Sequence, residues 1–231
     1  MPPIEAKLSA LRQLLEIYDG FLSGFALACR RHCAHCCTAD VVLTSLEGYF
    51  LLENATAGQR SWIGETIASA GLPRGFQPLA TTNQIAALCM QNRPLPGETA
   101  PPLSSGCALL EQAQCPIYPL RPFACRCMVS HSGCSGRGHA EMDPLILTLN
   151  TVGLQVLEHI DQEGFSGNLC DVLAYLLPDQ NRERYAAGSL KTRPHPLVAN
   201  RPIPALLVPP EHREPLAPLF SRLNRLLAGV V

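Results

Sequence analysis

Cysteines dominate the chemistry that this sequence could support. Eleven are present in 231 residues, and all but Cys89 and Cys170 fall in two clusters. The clusters are Cys29, Cys33, Cys36 and Cys37, and then Cys107, Cys115, Cys125, Cys127 and Cys134. Thiolates separated by two or three residues place several sulfurs around one ion, as zinc and iron-sulfur sites require. The spacing therefore predicts a metal-thiolate site.

The adjacent pair Cys36 and Cys37 indicates which kind of metal site the cysteines form. Neighbouring side chains point in separate directions in a helix or a strand, so these two thiols do not easily share one mononuclear ion. The pair indicates an iron-sulfur cluster or two adjacent metals, unless one thiol supports the site from outside the ligand shell. On this ground we expect an iron-sulfur cluster, with zinc as the alternative.

Positive charge lies beside the candidate ligands. Four thiolates around a divalent ion or a four-iron cluster leave a local charge of roughly −2, which nearby cations offset. The neighbouring arginines are Arg30, Arg31, Arg121 and Arg126. Of these, we predict Arg121 and Arg126 as cofactor-binding residues. Histidines also interleave or flank the cysteines, at His32, His35, His131 and His139, but we prefer an all-cysteine ligand set.

Two stretches resemble a known family. They are Cys29-x3-Cys33-x2-Cys36-Cys37, and Cys107 followed by Cys115-Pro116-Ile117-Tyr118-Pro119-Leu120-Arg121-Pro122-Phe123-Ala124-Cys125-Arg126 and Cys134. Together they resemble the YkgJ-type cysteine-cluster proteins, the zinc- or iron-chelating CxxCxxCC family. The resemblance covers roughly residues 29 to 134, although the first gap is three residues here rather than two.

The resemblance implies a ligand set and an activity. It implies that eight cysteines bind metal, namely Cys29, Cys33, Cys36, Cys37, Cys107, Cys115, Cys125 and Cys134, and it leaves Cys127 as an extra thiol. The family resemblance extends to flagellin lysine-N-methylase, which carries a similar cysteine cluster. Methyl transfer to protein lysine is thereby implied. The expected iron-sulfur cluster, in turn, predicts a redox role.

Other classes of function find less support. Cys29-x3-Cys33-x2-Cys36 has the spacing of the radical S-adenosylmethionine motif, but the chain lacks the alternating strands and helices of a barrel. It has no G-x-S-x-G, H-E-x-x-H, P-loop or G-x-G-x-x-G signature, so hydrolase, nucleotide-binding and dehydrogenase functions are unsupported. The sequence assigns no reaction. A structural zinc module for protein interaction, or metal storage and delivery, are the alternatives.

Composition and charge predict where the protein is located and which partners it does not bind. A formal net charge of −1 gives no basic field for nucleic acid, and the apolar runs are shorter than the roughly 20 residues that span a bilayer. Charged residues interrupt the N-terminal segment, unlike a signal peptide, and an odd number of cysteines favours reduced thiols. We therefore expect a cytoplasmic protein that binds neither nucleic acid nor membrane, with a protein partner left open. Cys89 and Cys170 lie in apolar helical patterns and are expected in the core.

Periodic apolar residues predict a mainly helical chain. The predicted helices are 4–27, one from Ser45 with the capping signature Thr44–Glu47, about 57–69, about 82–91, one from Asp143-Pro144, about 168–177, and 216–227. Prolines exclude regular structure from 92–106 and favour an extended arm without a central strand or long helix over 194–218. Residues 107–110 and 115–118 are predicted as the strands of a small hairpin.

The expected fold is an irregular, mainly α domain with a small cysteine-rich metal-binding hairpin or loop region and proline-rich connections. We assign residues 1–165 to a helical cysteine-cluster metal-binding domain. Residues 166–231 are assigned to C-terminal helices and a proline-rich arm that pack on the same core.

Overall fold

The computed structural model describes residues 2–69, 75–97, 105–135, 139–190 and 194–229. This part of the chain is mainly helical, as predicted. Its α-helices are α1 (Ile4–Leu22), α2 (Ser45–Asn54), α3 (Ala57–Ala68), α4 (Thr82–Met90), α5 (Phe123–Cys127), α6 (Pro144–Ile160), α7 (Leu169–Leu176), α8 (Asp179–Ala186) and α9 (Arg213–Ala228). Its strands are β1 (Val42–Thr44), β2 (Phe165–Asn168) and β3 (Val198–Ala199). Within the described residues, no helix is long and apolar enough to cross a membrane.

One hydrophobic core joins the two ends of the chain. Helix α1 packs against α6 and α9, and α2 packs against α7. Leu11 of α1, Leu157 of α6 and Leu223 of α9 are all buried in this core. Burying such side chains contributes about 1.5–3 kcal/mol each, so the apolar faces of these helices hold the scaffold together.

A small antiparallel sheet connects distant parts of the chain. Strand β2 lies between β1 and β3, with Leu43 opposite Gly167 and Phe165 opposite Ala199. Sequence analysis did not predict these strands, because two to four residues are too few to show an alternating pattern. The sheet fixes the segment that leads from the first cysteine cluster into α2.

Local capping explains where several helices begin. Thr44 and Glu47 form a reciprocal capping box at α2, and Thr56 with Gln59 does the same at α3. Asp143 caps α6 by accepting a hydrogen bond from the Leu145 N–H at 2.7 Å. These interactions satisfy backbone donors that a helix start leaves unpaired, so the predicted starts of α2 and α6 are confirmed.

A buried polar network lies beneath α1. Asp161 is fully buried and accepts hydrogen bonds from Ser45 Oγ (2.5 Å), the Leu46 N–H (3.0 Å) and Tyr185 OH (2.7 Å). The Lys7 ammonium, only 4% exposed, lies 3.5 Å from Asp161 Oδ1. Burial raises the pKa of Asp161, while Lys7 and these donors act in the opposite direction. The network ties α1, α2 and α8 to the end of α6.

Two helix predictions differ from the structure. Helix α1 ends at Leu22 rather than at 27, because Ser23 Oγ donates to the Gly20 carbonyl and the Gly24 N–H donates to the Phe21 carbonyl, which tightens the chain. Helix α9 begins at Arg213, inside the segment predicted to contain no long helix. Proline is tolerated in a first helical turn, and the buried Leu219, Leu223 and Leu226 offset the break at Pro218.

The two strands predicted at 107–110 and 115–118 do not form. A single antiparallel bridge joins Glu111 to Gln114, and no strand forms in these described residues. Pro116 has no N–H to donate to a ladder, and the Tyr118 N–H donates instead to the Cys115 carbonyl at 3.0 Å. The segment is therefore a series of turns. Helix α8 was not predicted, and part of 92–106, at 98–104, lies outside the described residues.

Candidate metal centre

Both cysteine clusters meet at one cavity. Its lining includes all eight predicted ligands, Cys29, Cys33, Cys36, Cys37, Cys107, Cys115, Cys125 and Cys134. The cavity measures about 140 Å³, which is roughly ten times the space that one water needs. The ninth clustered thiol, Cys127, is buried in the hydrophobic core instead. All eleven cysteines are free thiols.

Backbone hydrogen bonds hold the first cluster against the second. The Ala28 N–H donates to the Ser130 carbonyl at 2.8 Å, and the Cys107 N–H donates to the Cys37 carbonyl at 3.0 Å. Thr38 and Gly106 form an antiparallel bridge. The loop between α1 and β1 is therefore pinned at both ends, which turns its cysteines toward the same cavity.

The short helix α5 places Cys125. A buried carboxylate, Glu47, accepts a hydrogen bond from the Phe123 N–H at 2.7 Å at the start of this helix. The same side chain accepts from the Thr44 N–H at 2.9 Å as part of the α2 capping box. Glu47 thus couples α2 to the segment that carries Cys125. The sequence signature at Glu47 identified the cap but not this second contact.

Burial sets the protonation of the thiols. It raises the pKa of Cys36 to about 11, with neighbouring Cys37 and Cys29 adding to the effect. Burial likewise raises the pKa values of Cys107 and Cys125. A divalent metal binds the thiolate, so loading this cavity with metal would release the protons that the thiols hold.

The other polar groups of the cavity suit an anionic metal-thiolate centre. Arg30, Arg121 and Arg126 line it, and no carboxylate does among the described residues. The Arg121 guanidinium lies over the Tyr118 ring, 3.9 Å from its centroid, and Arg126 pairs with Asp19 at 2.9 Å. Of the two predicted cofactor-binding arginines, Arg126 therefore forms an ion pair with Asp19 of α1, whereas Arg121 contacts the exposed Tyr118.

The remaining predicted side chains lie elsewhere or at the margin. His35 lines the cavity, while the His131 ring contacts the Ala26 carbonyl at 3.1 Å. Cys170 is partly buried against the core, as expected, but Cys89 is exposed on α4, and its predicted place in the core is wrong. Helix α4 buries only its Asn83 and Ala86 positions, so its apolar sequence does not place every residue inside.

The donor set fits a metal-thiolate centre by its chemistry. Soft thiols supply all of the predicted ligands, and arginines supply the compensating charge. Within the described residues, however, no three His, Cys, Asp or Glu side chains converge as ligands of one ion would. The thiols line the cavity without closing on one point, so binding requires their side chains to turn inward.

Comparisons of this chain with models of known families, with curated proteins and with solved structures find no match. The proposed function therefore rests on the cavity and the thiols that line it.

Proposed function

We propose that this chain is a metal-thiolate protein of the YkgJ type that binds iron and sulfide through its clustered cysteines. The observation that supports the proposal is the single cavity that all eight predicted thiols line. These thiols come from two segments that lie about 70 residues apart at their nearest points, from Cys37 to Cys107. Unclustered structural cysteines would have no reason to meet in this way, since buried cysteine usually behaves as a small apolar residue.

An iron-sulfur centre is the first choice for three reasons. The cavity has room for more than a single ion, the adjacent Cys36 and Cys37 suit a polynuclear arrangement, and three arginines offset negative charge. Such a centre supplies one-electron transfer when bound. In this proposal the protein holds the thiols in place, and Arg121 and Arg126 offset their negative charge. Electron transfer or methyl transfer to protein lysine is the chemistry to assay, in the cytoplasm, where thiols stay reduced.

Zinc is the second candidate, because the ligand-bearing segments have little regular structure. Of the eight thiols, Cys125 lies in a helix, and the other seven lie in turns or loops. Closed tetrahedral thiolate sites stabilise such segments, since metal binding and folding are coupled. The function would then be a structural module for protein interaction.

One experiment separates these proposals. Protein purified without oxygen is analysed for iron, zinc and acid-labile sulfide, and its visible spectrum is recorded. We expect iron with matching sulfide and a brown colour that bleaches in air. Zinc without sulfide supports the structural module, and a protein with neither metal contradicts the metal-thiolate proposal.

Variants test the residues. Cys36→Ser and Cys125→Ser are expected to lower bound metal and stability together. The matched control is Cys89→Ser, because Cys89 is an exposed thiol on α4 outside the cavity. Unchanged metal content in both cavity variants would rule out these ligands.

A further inference from the structure

A second cavity lies outside the cysteine cavity and shares none of its described lining residues. It is a groove of about 830 Å³ that is open to solvent. Helix α4 forms one wall, and the irregular segments at 93–96 and 201–204 contribute to the others. None of the residues assigned to the metal centre belongs to this groove.

Hydrogen bonds fix both irregular segments to α4. Asn83 of α4 is fully buried, and its Nδ2 donates to the Arg201 carbonyl at 2.8 Å. The Arg93 N–H donates to the Leu88 carbonyl at 2.9 Å, which turns the chain back along the end of the helix. The groove is therefore preformed, and a ligand that binds it has little of the wall to order.

Apolar side chains are exposed along the groove. Leu79 is 62% exposed and Leu95 is 52% exposed, although both are large apolar side chains. Four prolines also line the groove, namely Pro94, Pro96, Pro202 and Pro204. Covering such groups removes apolar surface from water, so apolar side chains of a ligand would be bound favourably here.

The charge that lines the groove is positive. In the part of the chain that the structure describes, Arg93 and Arg201 are its only ionisable lining residues, and both are exposed. Arg182 on α8 pairs with Glu53, whereas neither groove guanidinium has a carboxylate partner among the described residues. A guanidinium presents a fork of donors that matches a carboxylate. The groove therefore complements a ligand that carries negative charge.

We propose that this groove binds an extended segment of a partner protein that carries both carboxylate and apolar side chains. Arg93 and Arg201 bind the carboxylates, and Leu79 and Leu95 contact the apolar side chains. An open groove leaves part of its ligand in solvent, which suits a peptide better than a small molecule, most of whose surface a pocket buries. The exposed Gln91 amide also lines the groove and offers a donor and an acceptor to a peptide backbone. This inference goes beyond the metal-thiolate function and does not depend on it.

The chemistry of the ligand is tested by selection from a displayed library of random peptides. The full-length protein, purified without oxygen, is the target, and each selected peptide is synthesised with a fluorescent label so that anisotropy measures its Kd. We expect the selected sequences to be enriched in Asp and Glu together with apolar residues, and added salt to weaken their binding. Selected peptides without carboxylates, or no selected peptide at all, would overturn the proposal.

Substitutions locate the binding. Arg93→Ala and Arg201→Ala are each expected to raise the Kd about tenfold or more, because each removes a charge-assisted hydrogen bond. Leu95→Asp is expected to weaken binding as well, since it adds a charge of the same sign as the ligand. The matched control is Arg222→Ala, which makes the same change of net charge at an exposed position of α9 outside the groove and is expected to leave the Kd unchanged. Thermal unfolding checks that the variants fold, and an unchanged Kd in both groove arginine variants contradicts the assignment.

Two other occupants would give different results. A small anionic ligand is represented by succinate, and binding of succinate in the groove without binding of peptides would overturn the partner segment. A second copy of the chain would give a dimer in sedimentation velocity that Leu95→Asp dissociates, and this result would overturn it too. Metal and sulfide contents are measured separately, so failure of peptide binding leaves the metal-thiolate function to its own test.

Discussion

The ring of Phe123 packs directly against the bare Cα of Gly153. A Cβ built on Gly153 would lie well inside van der Waals contact with the Phe123 ring, which is fully buried. Phe123 begins α5, and α5 packs on α6 at this point. The absence of a side chain at Gly153 therefore sets how closely the Cys125-bearing helix approaches the core.

Gly153→Ala is expected to destabilise the protein by about 1–3 kcal/mol, because overpacking a dense core forces side chains or backbone to move. Chemical denaturation measures the loss, and faster modification of Cys125 by a thiol reagent reports the displacement of α5. The matched control is Gly64→Ala in α3, where the nearest atoms belong to Leu177 at 3.9 Å. That variant is expected to be as stable as the original or about 0.5–1 kcal/mol more stable. Equal effects of the two substitutions would contradict the packing argument.

Glu47→Gln tests the carboxylate that joins α2 to α5. Its two oxygens accept from the N–H groups of Phe123 and Thr44, so an amide nitrogen in place of one oxygen would face a donor. Leaving a buried donor unpaired costs about 1–3 kcal/mol. Denaturation with urea measures this loss. The control is Glu53→Gln in the same helix, which weakens only a half-exposed ion pair with Arg182 and is expected to cost less than about 1 kcal/mol. Unaltered stability of the Glu47→Gln variant would show that these contacts carry little energy.

Substitution of Asp161 is expected to destabilise the protein more than substitution of Lys7. Asp161→Asn leaves the buried Lys7 ammonium without its counter-charge and disturbs four further donors, Asn200 Nδ2 among them, so a loss of about 3–5 kcal/mol is expected. Lys7→Met costs less, because Asp161 can then take a proton on Oδ1 and donate it to the Tyr185 oxygen, while Oδ2 keeps its donors. The two free energies of unfolding are compared at neutral pH. A larger loss for Lys7→Met would refute this order.

The stability of the protein is expected to fall at low pH because of His159. Burial lowers the pKa of His159, and its Nδ1 accepts the Ile203 N–H at 3.1 Å, which requires the neutral ring. Above its ordinary pKa of about 6.5, the folded and unfolded chains both hold the ring neutral. As the pH falls below that value, the unfolded chain binds the proton first, so stability is lost.

The His159 effect is measured by thermal unfolding between pH 7.5 and pH 5. His159→Asn keeps an acceptor for the Ile203 N–H but does not titrate, so its melting temperature is expected to fall less steeply with acid. All other titrating groups are common to both proteins. Parallel pH profiles would exclude a contribution from His159.

Local signals explain what the sequence could predict of the fold. The capping residues Thr44 and Asp143 mark the starts of α2 and α6 because they hydrogen-bond within two or three residues of themselves. Pairing of Val42 with Asn168 joins residues far apart in the chain, and no local pattern records it. Gln112 and Ala113, both with positive φ, form a turn between the two segments predicted as strands, but the pairing stops at the Glu111–Gln114 bridge because Pro116 has no N–H to continue it.

The candidate site was predictable in its residues but not in its arrangement. Spacing and family resemblance selected eight thiols, and all eight line the cavity, while Cys127 was set apart as extra and lies in the core. The contacts of Cys36 with Met128 and of Cys37 with Cys107 depend on how two distant loops meet. The spacing of the cysteines in the sequence does not predict these contacts.

The cavity thiols all precede residue 135, whereas α6, α7 and α9 follow it and complete the core around α1. A ribosome adds about 5–20 residues per second, so synthesis from Cys134 to the end of α9 takes roughly 5 to 20 seconds. During that interval the eight thiols exist without α6, α7 and α9, so the core that gathers them at one cavity forms only after α9 has been made.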